Sequence, residues 1–255
     1  MESIIEILAR ELDCRAQYVE NIITLLDEGN TVPFIARYRK ELHGGMDDQR
    51  IRALADRLQY LRNLQARRDE VKGAIENQGK LTEELAAAID GAATLAEVED
   101  LYRPYKQKRR TRATMAKEKG LEPLALLLFA QERDCPEPLA EAAKYVDPEK
   151  GVETEAALQG ASDIVAELVS DDADLRKALR ALYWKKASLV SAAAAKEPED
   201  TVYRLYYDFA APVSRVQGHQ VLAISRGERE EILKASIEMD REEALVAVRR
   251  GVVRP

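Results

Sequence analysis

The amino-acid sequence predicts an all-α fold, and three observations carry that expectation. Only 12 of 255 residues are glycine and 9 are proline, a combined share below the roughly 12% of an average chain, which favours long uninterrupted helices over turn-rich β folds. Aromatic residues make up 5% of the chain, and the hydrophobic 46% leans on Ala and Leu, the strongest helix formers among apolar residues. Apolar positions recur at spacings of three and four along most of the chain, the period that gathers them on one face of a helix. The length suits one large domain or two small ones.

Taken in order, Ile4, Ile5, Ile7, Leu8 and Leu12, then Tyr18, Val19, Ile22, Ile23, Leu25 and Leu26, read as two amphipathic helices closed by Gly29-Asn30. Thr31-Val32-Pro33 opens a short helix from Pro33 to Leu42, because the missing N–H of proline has no partner to lose in a first turn. Gly44-Gly45 stops it, and Asp47 is placed to cap a long helix carrying Ile51, Leu54, Leu58, Leu61, Leu64 and Val71, which runs to Asn77-Gln78-Gly79. Shorter helices follow: Thr82 to Ile89, then one opened by a Thr94-x-x-Glu97 capping box with Leu95, Val98, Leu101 and Tyr102. A helix from Thr111 to Lys119, a Gly120 turn and a helix from Glu122-Pro123 through Phe129 have helix-turn-helix spacing.

Residues 136–174 are expected as helices around the Asp147-Pro148-Glu149-Lys150-Gly151 loop, and 172–187 continue helical with Leu175, Leu179, Leu182 and Tyr183. Ser188 to Ala195 and Glu231 to Met239 leave room for a minor strand pair near the C-terminal part. The domain expectation is a helix-turn-helix-like module at residues 73–131 inserted into a larger helical domain built from 1–72 and 132–255. Gly251-Val252-Val253-Arg254-Pro255, straight after a helical pattern, reads as a cut rather than a natural tail.

Several function classes drop out. No segment approaches 18 consecutive apolar residues, and the start Met1-Glu2-Ser3 carries an acid where a secretory signal would be positive, so a cytoplasmic protein with no membrane partner is expected. Cys14 and Cys135 stand 121 positions apart with no Cys or His at metal-ligand spacing. His43 and His219 are the two histidines, and each reads as structural rather than as a catalytic base or ligand. No nucleophile elbow, phosphate loop or dinucleotide fingerprint occurs. Neighbouring acids such as Glu83-Glu84 and Asp171-Asp172 are what solvated helix faces produce. No enzyme activity, metal or cofactor is expected.

The formal net charge of −7 argues against a nucleic-acid partner at first sight. It hides a strong polarity. Residues 31–72 carry 10 basic and 6 acidic groups, 103–119 carry 8 and 1, and 120–174 carry 3 and 14. Because exposed charges beyond about 10 Å are screened at physiological salt, one basic face is enough to attract a polyanion.

The sharpest local feature is Arg103-Pro104-Tyr105-Lys106-Gln107-Lys108-Arg109-Arg110-Thr111-Arg112, with six cations in ten residues and no acid. Arg103, Lys106, Lys108, Arg109, Arg110 and Arg112 are candidate phosphate contacts, since guanidinium groups give forked hydrogen bonds to phosphate, and Tyr105 with Tyr102 could stack on an unpaired base. Such binding is salt-dependent and indifferent to sequence. The plainer reading is a solvated loop balanced by the acidic middle region. Phe34-Ile35-Ala36-Arg37-Tyr38-Arg39-Lys40-Glu41 packs an aromatic and apolar seam beside three cations; it reads either as core packing with snorkelling arginines or as an anion-facing or partner-facing helix. Gly218-His219 with Arg226-Gly227-Glu228-Arg229 forms a third polar cluster, for which a glycine turn and a salt network would suffice.

Three stretches together resemble the amino-terminal region of the Tex family of bacterial transcription accessory proteins. They are Thr31 to Glu41, Val98 to Ala113 with Gly120-Leu121-Glu122-Pro123-Leu124, and Gly218-His219 followed by Leu222 to Glu228. The family usually has Lys-Pro-Lys-Arg where this chain has Lys106-Gln107-Lys108-Arg109, and often Leu-Asp-Glu near Met46-Asp47-Asp48; both departures keep the charges. The resemblance implies an elongated helical protein related to a eukaryotic elongation factor, non-catalytic and binding nucleic acid. It further implies an RNase H-like domain, helix-hairpin-helix repeats and an RNA-binding OB-fold lying outside these residues. Two readings follow: a monomeric, sequence-indifferent RNA- or DNA-binding region, or a scaffold that docks on RNA polymerase or ribosome components through the acidic 120–174 face.

Overall fold

A computed structural model describes residues 3–107, 109–195 and 200–254. Among them the chain forms fourteen α-helices and one three-stranded sheet, in two units, Met1–Tyr102 and Arg103–Pro255. The segment 73–131 falls on both sides of that division. No helix among the described residues is long and apolar enough to cross a membrane.

The first unit holds α1 (Ile4–Glu11), α2 (Ala16–Asp27), α3 (Val32–Tyr38), α4 (Lys40–His43), α5 (Asp48–Glu76), α6 (Glu83–Gly91) and α7 (Leu95–Tyr102). Side chains close the helix starts where the sequence places them. The Asp47 carboxylate accepts the Arg50 N–H at 2.8 Å to open α5, and Thr94 accepts the Glu97 N–H at 3.2 Å to open α7. The Glu97 carboxylate reaches back to the Ala93 N–H at 2.6 Å, one residue before the cap. Leu8, Val19, Ile22, Ile35, Ile51 and Leu54 are fully buried where α1, α2, α3 and α5 meet, each contributing about 1.5–3 kcal/mol.

The single helix expected from Pro33 to Leu42 is two, broken at Arg39 (φ −130°, ψ 35°). The Arg39 guanidinium turns back over the Phe34 ring, 5.4 Å from its centre. Gly44 ends α4 in the left-handed region (φ 63°) with the Tyr18 ring packed where a side chain would project. His43 is fully buried with Nε2 3.2 Å from the Ile35 carbonyl, a structural position.

The second unit contains α8 (Arg112–Glu118), α9 (Glu122–Ala130), α10 (Pro138–Ala142), α11 (Thr154–Asp171), α12 (Ala173–Lys186), β1 (Ser188–Ala193), β2 (Asp208–Pro212), α13 (Gly218–Arg229), β3 (Leu233–Glu238) and α14 (Arg241–Val252). The expected short helix, glycine turn and short helix are α8, Gly120 (φ 83°) and α9. Both helices pack on α11, with Ala116, Leu121, Leu124, Ala157, Ala161 and Ile164 in the shared core. Gly160 permits this approach: a Cβ there would lie 2.5 Å from Leu121 Cδ1 and 3.2 Å from Ala116 Cβ.

The expected strand pair is present as β1 and β3, antiparallel with Leu189 opposite Ile237. A third strand, β2, extends it in the order β2-β1-β3. Neither Gly218 nor Gly227 makes the turn anticipated for the third polar cluster; both lie within α13. Gly227 is needed there because a Cβ would come 2.6 Å from Leu233 Cδ1 on β3.

Candidate nucleic-acid interface

The basic run is held at both ends by α11. Arg103-Pro104-Tyr105 forms a 3-10 turn, and the Arg103 Nε donates to the Asp171 carboxylate at 2.9 Å. Asp171 has a side-chain exposure of 10% against 44% for Arg103, so this guanidinium compensates a nearly buried acid at the helix end. Eight residues on, Thr111 caps α8 by accepting the Thr114 N–H at 3.0 Å. Its hydroxyl also donates to Glu167, one helical turn before Asp171, at 3.2 Å.

Between these ties lies an open cleft of about 540 Å³. Arg103, Lys106, Gln107, Arg109, Thr111 and Arg112 form one side, and Asp163, Glu167, Ser170 and Asp171 of α11 form the other. Arg109 and Arg112 are exposed there and have no acidic partner among the described residues. The Asp163 carboxylate accepts from Gln159 on its own helix at 3.3 Å.

The remaining candidates divide. Lys106 lines the cleft and is exposed, its N–H donating to the Arg103 carbonyl at 3.4 Å. Arg110 pairs with Glu118 at 2.9 Å. That pair is exposed on both sides, worth about 0–1 kcal/mol, and a phosphate can compete for the guanidinium. Tyr105 is half-buried in the 3-10 turn. One face of Tyr102 is already taken, with the Arg67 guanidinium 5.5 Å over its ring, which removes that face as a stacking surface. Lys108 lies outside the described residues.

Sequence reasoning missed the opposite wall. Asp163, Glu167 and Asp171 recur every fourth residue, the spacing that aligns side chains on one helix face, so the row was legible as a face although its partner was not. Lys119 was also missed. It joins Arg112 and Met115 along a smaller groove of about 240 Å³ against Ala156, Gln159 and Gly160, and its spacing of seven from Arg112 marks the same side of α8. Because Arg103 answers Asp171 of α11 and Arg110 answers Glu118 of α8, the net positive charge facing solvent is smaller than the sequence count suggests. It is concentrated on Arg109 and Arg112.

Comparison with known proteins adds the family. The Tex-like protein N-terminal domain matches residues 2–76, and a Tex central region-like segment matches 134–252, with the basic run between them. Protein YhgF of Escherichia coli is 48% identical over 241 residues, covering 94% of this chain and 31% of that protein. The transcriptional accessory protein Tex of Neisseria gonorrhoeae is 42% identical over 236 residues, covering 92% and 31%. A human S1 RNA-binding domain-containing protein 1 is 29% identical over 243 residues, covering 91% and 24%. The chain thus spans about a third of the length of the bacterial relatives. With the two segments matched in order and identity running along nearly the whole chain, it belongs to the Tex family of transcription accessory proteins.

Proposed function

We propose that this chain is a non-catalytic, nucleic-acid-binding part of a transcription accessory protein, holding RNA or DNA through phosphate contacts that do not depend on base sequence. The observation that carries the reading is the pair Arg109 and Arg112, exposed on the cleft without an acidic partner among the described residues. Lys106 adds a third cation to the same wall, and Arg110 is held only by an exposed ion pair. Two relatives lend support, one named as a transcriptional accessory protein and one for an S1 RNA-binding domain. Arg103 serves as an anchor for the loop, and its loss would act through position rather than through contact.

The test is the double charge reversal Arg109→Glu/Arg112→Glu, followed by fluorescence anisotropy on several unrelated RNA and duplex DNA probes. Two lost charge-assisted contacts should weaken every probe alike, by about tenfold or more. Unchanged affinity would overturn the reading, and would turn attention to a scaffold that docks on RNA polymerase or ribosome components through the acidic 120–174 region.

A further inference from the structure

The 10 basic and 6 acidic residues of 31–72 do not leave their surplus evenly spread. On α5, Arg57 pairs with Glu11 at 2.7 Å, Arg62 with Asp27 at 2.7 Å, Arg67 with Glu99 at 2.6 Å and Lys72 with Asp90 at 2.7 Å. All four acids come from outside that stretch, so the fold answers four of the seven cations of the long helix, while Arg50 and Arg68 bond the Leu12 and Ala92 carbonyls. At α3 and α4 it does not: Arg37, Arg39 and Lys40 have no acidic partner among the described residues, and Glu41 is the one acid beside them in sequence. Three cations without such a partner therefore stand within four residues on these two short helices.

The same surface carries two aromatic rings. Val32, Ile35 and Ala36 of α3 pack into the core, whereas Phe34 and Tyr38, one helical turn apart, stand outside it. Phe34 is 36% and Tyr38 57% exposed. Their ring centres are 5.3 Å apart at an interplanar angle of 46°, and the Arg39 guanidinium sits over Phe34. Exposed rings gain little for folding, but a ring beside cations offers an unpaired base a stacking surface and its phosphate a counter-charge.

We infer that this face of α3 and α4 is a second nucleic-acid contact, specific for single strands, in which Tyr38, the more exposed ring, stacks on a base with Phe34 beside it held under Arg39, while Arg37 and Lys40 meet phosphates. Duplex bases are already stacked and cannot use the rings. Stacking has no preference among the bases or between ribose and deoxyribose, so single-stranded RNA and DNA bind alike. An acidic protein would be served by the cations alone, without need of a ring pair. The inference stands apart from the α8–α11 cleft, which lies in the other unit and holds phosphates of either strandedness.

The test compares the whole chain with Phe34→Ala/Tyr38→Ala on labelled 15-nucleotide single strands, ribo and deoxyribo, and on the matching duplex. Loss of about one stacked base should weaken both single strands about tenfold, change duplex affinity less than twofold, and leave the salt slope unaltered. Tyr38→Phe should keep most of the affinity. Arg37→Glu/Lys40→Glu should flatten the single-strand salt slope by about 1.4 units. Because both rings are exposed, the thermal midpoint serves as the folding control and should not move. Unchanged single-strand affinity, or an equal loss on duplex, overturns the inference; failure of the Arg109/Arg112 variant alone would overturn the cleft reading and leave this one standing.

Discussion

Replacing Gly160 with alanine probes the seating of the α8–α9 turn on α11, which positions Arg109 and Arg112. An added Cβ lies 2.5 Å from Leu121 Cδ1 and 3.2 Å from Ala116 Cβ, against roughly 3.5–4.0 Å for an unstrained carbon pair. Leu121 is 1% exposed and enclosed by the second unit's core, so its methyl cannot swing away freely. Helix propensity alone would reward Gly→Ala by about 1 kcal/mol. Overpacking a filled core costs about 1–3 kcal/mol, and at this distance the upper part of that range applies. The expected net loss is about 1–2 kcal/mol, read as a lower urea midpoint by circular dichroism and by the fluorescence of Trp184, on α12 of the same unit. In a Leu121→Ala background, itself costing about 2–5 kcal/mol, the 2.5 Å contact is gone and only the 3.2 Å approach to Ala116 remains, so Gly160→Ala should cost clearly less than in the parent chain. The same effect in both backgrounds, or stabilisation of the parent chain, would refute the packing described for α11.

Other outcomes follow from the same geometry. Gly73 on α5 meets nothing within 4 Å of an added Cβ, so Gly73→Ala should raise stability by about 1 kcal/mol, and a lowered urea midpoint would contradict that. Thr111→Ala removes the cap of α8 and the bond to Glu167; a loss of about 1–2 kcal/mol is expected, checked by denaturation. Hydrogen bonds from Arg57 and Arg62 hold the Glu11 and Asp27 carboxyls below their usual range. Because the folded values are lowered, their stabilisation is present above about pH 4 and is lost as pH falls through the folded values. Arg57→Ala/Arg62→Ala should therefore be less stable than the parent at pH 7, and the gap should begin to close below about pH 4 and vanish as pH falls past the lowered folded values; a constant gap down to about pH 2 would exclude the linkage.

Much of the fold was legible because local chemistry decides it. Asp47, Thr94 and Thr111 cap helices for the reason their sequence positions suggest, and Pro33 sits in the first turn of α3. β1 shows an apolar run and β3 a partial alternation, whereas β2, Asp208-Phe209-Ala210-Ala211-Pro212, has no β-branched residue and ends in proline. Only its pairing with β1, Val190 opposite Ala210, makes it a strand. The break at Arg39 also escapes a reading by period, since the cation–ring contact with Phe34 that accompanies it belongs to the folded state.

The candidate site divides the same way. The basic run is visible as composition, and the acids at 163, 167 and 171 as a helix face. That Arg103 meets Asp171 while Arg109 and Arg112 meet no acid among the described residues depends on how the loop is tied to α11. Charge counting along the chain treats those cations as equivalent, whereas the fold makes one an anchor and leaves two available.

The most direct test is the salt dependence of binding to a duplex DNA probe, measured for the parent chain and for Arg109→Ala/Arg112→Ala. Each phosphate contact contributes about 0.9 to the slope of log affinity against log salt. The variant's slope should be shallower by about two units, with affinity reduced on every probe sequence. An unchanged slope would show that these arginines touch no phosphate, and would contradict the central claim.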